Sequence, residues 1–346
     1  MKTRPLFRFV AILFVALTLA TPSSAQSLVT IDLVTVGDAG NAADTTTYGA
    51  VADVFDIGKY EVTIGQYNTF LNSVAAVTSD TYIVNLWNAN MTSNLNIAGI
   101  SRSGSGILGD PYSYSVLGSG SRPITYVSWF DAARFANWMN NGATNGASTE
   151  TGAYTLNGAT SGVFTKNAGA TWWIPSEDEW YKAAYYKGGG TNAGYWVYPT
   201  QSDSAPGNII GGAANQANYY SGNWAVTQSS TFSSSQNYLT DGGAFSNSAS
   251  AYGTFDQGGN VREWNDGVVF GSNRGRRGSA WNLTAGALMS SSRSSANPTQ
   301  EDRDVGFRLA AASAAPAPVP EPGTWAAAVL LAGAAGYVRW RRRRAA

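Results

Sequence analysis

The chain has 346 residues, with 22 Lys plus Arg balanced by 22 Asp plus Glu, and it contains neither cysteine nor histidine. That excludes disulfides, thiolate nucleophiles, Ser-His-Asp and Cys-His arrangements, and zinc or iron held by histidine or thiolate. Chemistry is left to carboxylates, Lys, Arg, Tyr and hydroxyls, and metal binding to oxygen donors, which suit calcium or magnesium.

At the start, Lys2, Arg4 and Arg8 precede an uncharged apolar run from Phe9 to Ala20, and Ser23-Ser24-Ala25 puts small residues before Gln26. This order predicts a secretory signal peptide over residues 1–25, since the run falls short of the ~20 residues a membrane span needs. The body over residues 26–310 has no Pro-rich or charged interruption and reads as one domain. Its wealth of Gly, Ser, Asn, Trp and Tyr predicts a loop-heavy fold with little helix.

Val54 to Val62 reads as a strand, after which Thr63 and Gln66 form a capping box for a helix carrying Tyr67, Phe70 and Leu71 on one face. Pro123 to Val127 is an extended entry to a second helix. That helix is capped by Ser128, has Asp131 in its first turn, and is apolar at Ala132, Phe135, Ala136 and Met139, with Asn141-Gly142 closing it. Trp172-Trp173-Ile174-Pro175 leads to a third helix with a Ser176/Glu179 capping box and a Trp180, Ala183, Ala184 stripe ending at Lys187-Gly188. Glu177, Asp178 and Glu179 read as complements to its dipole.

Gly188 to Phe245 reads as a long polar loop. Its aromatics Trp196, Tyr198, Tyr219, Tyr220 and Trp224 suit either burial or stacking on sugars. In the segment Tyr252 to Trp264, Asp256 and Glu263 flank a Gly258-Gly259 turn, so that both carboxylates and freed carbonyls can reach one cation. Arg276, Arg277, Arg293, Arg303 and Arg308 are predicted to pair with carboxylates or backbone carbonyls.

The C-terminal part predicts an Ala/Pro linker over 311–318, then Val319-Pro320-Glu321-Pro322, an apolar stretch over 323–338 and a basic tail over 339–344. A short apolar span backed by arginines stops translocation and keeps the arginines cytoplasmic. With the three basic residues of the first segment and the five of the tail set aside, 14 basic residues remain. Without Glu321 the acidic residues number 21, so the body stands near −7. That charge argues against nucleic acid as a partner.

The Pro320-Glu321-Pro322 motif, span and basic tail together resemble the PEP-CTERM sorting signal. The resemblance implies processing by an exosortase, transient anchoring in the inner membrane, and delivery to the envelope or outer surface of a Gram-negative, exopolysaccharide-producing bacterium. The body resembles the formylglycine-generating enzyme (sulfatase-modifying factor) family. Five blocks carry the likeness, in order: Phe55 to Tyr67, Pro123 to Trp138, Ile174 to Ala184, Tyr252 to Trp264 with Gly259-Asn260-Val261-Arg262-Glu263-Trp264 at its centre, and Arg277-Gly278-Ser279 through Gly306-Phe307-Arg308.

This second resemblance implies an α+β, C-type-lectin-like fold with little regular structure. It implies calcium held by the side chains of Asp256 and Glu263 with the carbonyls of Gly259 and Val261, and a second site at Asn218, Tyr219 and Asp241. The family's oxidases use two closely spaced cysteines, and counting from Gly278-Ser279 those positions fall near Asn282 and Ala287. Copper and iron are therefore not expected, nor is the family's redox chemistry. The expected role is a non-catalytic, calcium-stabilised binding or structural module of the extracellular matrix, with a surface polysaccharide or protein as partner. The alternative is an enzyme of the family with altered, carboxylate-based chemistry.

Overall fold

A computed structural model of the chain describes residues 26–313 and 343–344. The predicted signal peptide, the Pro320-Glu321-Pro322 motif and the apolar stretch lie outside the described residues. In chain order the elements are β1 (Leu33–Val36), β2 (Phe55–Gly58), α1 (Ile64–Val74), α2 (Thr81–Val84), α3 (Asn90–Ser93), β3 (Ile100–Ser103), β4 (Ser113–Val116) and α4 (Trp129–Asn140). They continue with β5 (Trp172–Trp173), α5 (Glu177–Tyr185), β6 (Arg262–Val268), β7 (Arg274–Arg277), a 3-10 turn (Ala285–Leu288), β8 (Ser294–Ala296), β9 (Val305–Phe307) and β10 (Ala310–Ala312). This is a loop-rich α+β domain, as the composition predicts.

Three capping boxes set the main helices. Thr63 with Gln66, Ser128 with Asp131, and Ser176 with Glu179 each exchange both reciprocal hydrogen bonds, satisfying backbone donors that a helix start leaves free. Tyr67, Phe70, Phe135 and Phe307 pack ring against ring with centroids 5.2 to 6.5 Å apart, so α1, α4 and β9 share one aromatic core. The apolar stripe read on α4 understates its burial, because every residue from Trp129 to Met139 is buried. The segment after the helix covers its outer face: Arg134 pairs with Glu150 at 2.8 Å, and Asn137 donates to the carbonyls of Thr149 and Tyr154 at 2.7 and 3.0 Å.

One sheet runs β1-β2-β10-β5, all antiparallel, and ties the beginning of the domain to its end. This corrects the predicted linker boundary. Ala311 and Ala312 belong to β10, where Ala311 pairs with Asp56 of β2 and Trp172 of β5. A run of alanines reads as linker in sequence, but its small side chains let a strand fit between two others. The predicted strand over Val54 to Val62 shortens to β2, and Tyr126 in the left-handed region (φ 57°) interrupts the extended entry before α4. The small β3-β4 hairpin packs on α1. The other sheet, β8-β7-β6-β9, is mixed, with β6 and β9 parallel.

Between α5 and β6 no helix or strand occurs among the described residues, only isolated bridges. Buried backbone groups still require partners. Side-chain amides supply them: Asn208 donates to the carbonyls of Tyr219 and Asn223, and Gln228 to those of Asn208 and Ala225. The Asn and Gln content of this segment is thus its substitute for a backbone ladder. No helix among the described residues is long and apolar enough to cross a membrane.

Candidate functional site

The turn at 256–263 is built by left-handed backbone at Asp256, Gly259 and Asn260 (φ 60, 91 and 58°). Glycine is required at 259, because a Cβ there would stand 2.3 Å from the Asn218 carbonyl oxygen. That close approach brings the two predicted calcium sets together: the Asn260 N–H donates to the Asn218 carbonyl at 2.8 Å, and the Asn218 side-chain amide donates to Tyr238 O and Asn260 Oδ1.

The side chains, however, are committed elsewhere. Glu263 is fully buried and accepts from Arg308 Nε (2.6 Å), Arg308 Nη2 (2.8 Å) and Trp180 Nε1 (2.8 Å). A carboxylate has roughly four acceptor positions, so little remains for a cation. Asp256 Oδ2 accepts from the Gly243 N–H at 2.6 Å. The Tyr219 carbonyl accepts from Asn208, its ring is buried, and its hydroxyl donates to Pro206 O. Asp241 is more than half exposed and faces Arg122 at 4.0 Å, away from Asn218. Among the described residues no cluster of three or more acidic side chains converges to hold a metal ion. Of the residues the resemblance assigns to calcium, Glu263 thus holds Arg308 and Asp241 lies nearest Arg122.

This centre is a charge cluster that closes the fold. Arg308 also donates to the carbonyls of Gly58 (2.8 Å) and Phe255 (2.9 Å), so one guanidinium links β2, the 256–263 turn and the last strands, and Trp180 on α5 joins through Glu263. Asp256 and Glu61 are buried beside it. Burial pushes Asp256 up to about 6 against the Gly243 hydrogen bond, and pushes Glu61 well above the usual carboxylate range, with the Asp256 and Glu263 charges adding to the effect. The sequence reading passed over Glu61. Its signal is a carboxylate directly between Tyr60 and Val62.

A second region lies at the family cysteine positions. After β7 the chain turns through Gly278 (φ 100°) and Ser279 (φ 67°), the latter an L-residue in strained backbone. Asn282 follows Trp281, and Ala287 lies in the 3-10 turn. Ala287 lines a cavity of about 70 Å³ together with Arg262, Arg276, Arg277, Ser279 and Ser294, among others. The predicted arginine pairing holds here: Arg276 meets Asp302 at 2.7 Å, and Arg277 and Arg293 both engage Glu177. Glu177 therefore does more than complement the helix dipole of α5. Arg262, to which the sequence reading gave no role, pairs with Asp304 at 2.8 Å.

The loop aromatics support this region and form no exposed platform. Trp281 stacks on Tyr238 with centroids 5.2 Å apart and planes at 2°, and Trp224 packs against both. Tyr198 and Tyr219 are buried. Tyr220 packs on Trp224, and Trp196 lies under Lys187 Nζ, 4.3 Å from its ring. Burial, one of the two readings open from sequence, holds for Tyr198 and Tyr219, while Trp196, Tyr220 and Trp224 are half-buried.

A third feature lies on α4. Asp131 and Glu301 line a cleft of about 480 Å³ with Tyr82, Arg134 and Thr299. Burial first, and the Asp131 charge second, push Glu301 up to about 8, while burial holds Asp131 near 6 against its capping hydrogen bonds from Ser128. These two residues are 170 positions apart, and no local pattern announces their meeting.

A loop-rich α+β domain closed by a buried Glu–Arg centre, with a small arginine-lined cavity bordered by Ala287, defines the class. The chain belongs to the family of sulfatase-modifying factor enzyme 1-like (FGE-sulfatase) domains, whose model matches residues 24–313. With no cysteine in the chain, the family's catalytic cysteines are absent. No curated protein sequence matches it. Among solved structures it is similar to CarF (20% identity, 82% of this chain and 99% of that one, TM-score 0.45). It is also similar to Treponema denticola variable protein 1 (18%, 81% and 95%, 0.44) and to PvdO from Pseudomonas aeruginosa (16%, 82% and 92%, 0.41).

Proposed function

We propose that this protein is an exported, surface-sorted, non-catalytic binding or structural module built on a formylglycine-generating-enzyme-like domain. The observation that carries this reading is the chemistry of the cysteine positions. Asn282 and Ala287 supply an amide and a methyl group, and neither forms a thiolate that can hold copper or attack a substrate cysteine. The carboxylate turn supports the same reading, because its Glu263 carboxylate holds Arg308.

The test uses the full chain, purified and incubated with a cysteine-containing sulfatase peptide, with elemental analysis in parallel. No oxidised peptide and no copper or iron is the expected result. Peptide oxidation overturns the reading. Stoichiometric calcium, with a lower Tm in chelator, restores a calcium role at the 256–263 turn. Export and tail processing by an exosortase are tested by the mass of the surface form, expected to lack both ends.

The Asp131–Glu301 cleft favours a second reading, an enzyme of the family with altered acid–base chemistry. A carboxyl that stays protonated near neutrality beside one that ionises earlier is the arrangement a general acid and base require. Hydrolysis of a glycoside or ester panel that disappears in Glu301→Gln would establish it, and the absence of turnover across the panel would remove it.

A further inference from the structure

We propose that the cavity at the vanished cysteine positions binds a small tetrahedral oxyanion, a sulfate or phosphate group. The inference deepens the non-catalytic reading, on which it rests, by naming what the altered site takes.

Charge is the first ground. Arg262, Arg276, Arg277 and Arg293 meet three carboxylates, Asp302, Asp304 and a Glu177 shared between two of them. One positive charge is left over in a region where three of the four arginines line a single cavity. Burial and the neighbouring Arg262 charge both weaken the hold of Arg276 on its proton, ahead of the relief that Asp302 gives. The two guanidiniums therefore repel at close range, and an anion between them would relieve that.

Unpartnered donors are the second and independent ground. Ser279 is 2% exposed and lines the cavity, and its Oγ has no hydrogen-bond partner. Arg276 is 7% exposed, and its Nε has none either, nor does Nε of Arg262. An unmade hydrogen bond at a buried donor costs about 1–3 kcal/mol, so three around one small cavity call for an acceptor. Ser279 also holds its hydroxyl there from a left-handed backbone that glycine would adopt more easily.

Shape is the third ground. The lining comes from β6 (Arg262), β7 (Arg276 and Arg277), the turn after it (Ser279), and Ser292 and Ser294 just before and at the start of β8. Unpartnered donors on β6, on β7 and in the turn after it suit an acceptor with oxygens in several directions better than a planar carboxylate, which one guanidinium can clasp by itself. A space of about 70 Å³ admits a group of this size and excludes a whole sugar or side chain. The anion is thus either free or the terminal ester of a ligand whose remainder lies outside.

The test is isothermal titration of the purified full chain with sodium sulfate and with sodium phosphate, in buffer whose ionic strength is held with chloride. Sulfate and phosphate stabilise many proteins by exclusion from their surfaces, so the readout is heat of binding and its loss in variants. Saturable millimolar or tighter binding is expected, weakened about tenfold or more in Ser279→Gly and in Arg276→Gln, which corresponds to one hydrogen bond to a charged group. Ser279→Gly relieves backbone strain while deleting the hydroxyl, so it folds even where Arg276→Gln fails. No saturable heat with either anion overturns the proposal, as does equal binding by wild type and Ser279→Gly. Preference for phosphate over sulfate, or the reverse, sets the ester class to pursue. Peptide oxidation with anion binding intact would sink the non-catalytic reading alone, and no anion heat without oxidation would sink this inference alone.

Discussion

The Glu263–Arg308 centre and the Arg262–Arg276–Ser279 cavity use the same residue types to opposite ends. In the first, carboxylates outnumber the guanidinium, everything is buried, and Arg308 reaches Gly58, Phe255 and Glu263 at once. In the second, guanidiniums outnumber carboxylates, and several of their donors lack partners. A buried guanidinium with every donor engaged, as in Arg308, fixes a fold. An unsaturated one beside a cavity is equipped for a ligand. The difference separates structure from function more clearly than the family motifs do, because both regions lie inside them.

The comparison can be broken at its strongest point. Arg308→Met leaves Glu263 buried without its counter-charge, and a loss of about 3–5 kcal/mol in urea unfolding is expected. A loss below about 1 kcal/mol would mean that the centre does not close the fold. Next, Glu177→Gln frees Arg277 and Arg293 from their shared partner. It should cost about 2 kcal/mol while tightening sulfate binding in the same titration, since the cavity gains net positive charge. Destabilisation without tighter binding would show that the cavity's charge is irrelevant to it.

The pH dependence sharpens the contrast further. Burial raises Asp131 and Asp256 to about 6, Asp266 to about 7 and Glu301 to about 8. Each binds its proton more tightly folded than unfolded, so stability falls as pH rises from the ordinary carboxylate range near 4 through those values. Tm should be highest near pH 4 and decline toward pH 8. Glu301→Gln should flatten that decline across the whole span from pH 5 to pH 8, with a far smaller change at pH 5 than at pH 8. The smallest effect is a control away from both regions. Ser176→Ala removes one cap from α5 and should cost about 1 kcal/mol, with no change in anion binding.

Local signals carried much of the fold. The three capping boxes were legible because a cap and its partner lie three residues apart, and the core faces of α1 and α5 followed from helical spacing. The loop-rich character followed from composition. What escaped was contact over long distance. The alanines of β10 look like linker until β2 and β5 flank them, and the shortened β2 depends on the strands it meets.

At the site, sequence spacing placed Asp256 and Glu263 on one turn, but a turn does not say what else reaches it. Arg308 arrives from 45 residues away and takes Glu263. Asn218 does meet the turn, through backbone contact at Gly259, whereas Asp241 leaves toward Arg122. Glu301 meets Asp131 only because the chain after β8 returns to the start of α4, where the Trp129 N–H donates to Pro298 O.

By itself, then, the sequence determined the chemistry available: no thiol, no imidazole, an acidic body rich in amides and aromatics, and helices with written starts. Those follow from residue type and short spacing, which need no folded context. The tertiary structure alone decided which charges meet. Whether a buried carboxylate holds a cation or an arginine, and whether an arginine is satisfied or left with an open donor, depends on residues brought together from distant segments, because electrostatic and hydrogen-bond partners are chosen by distance in space.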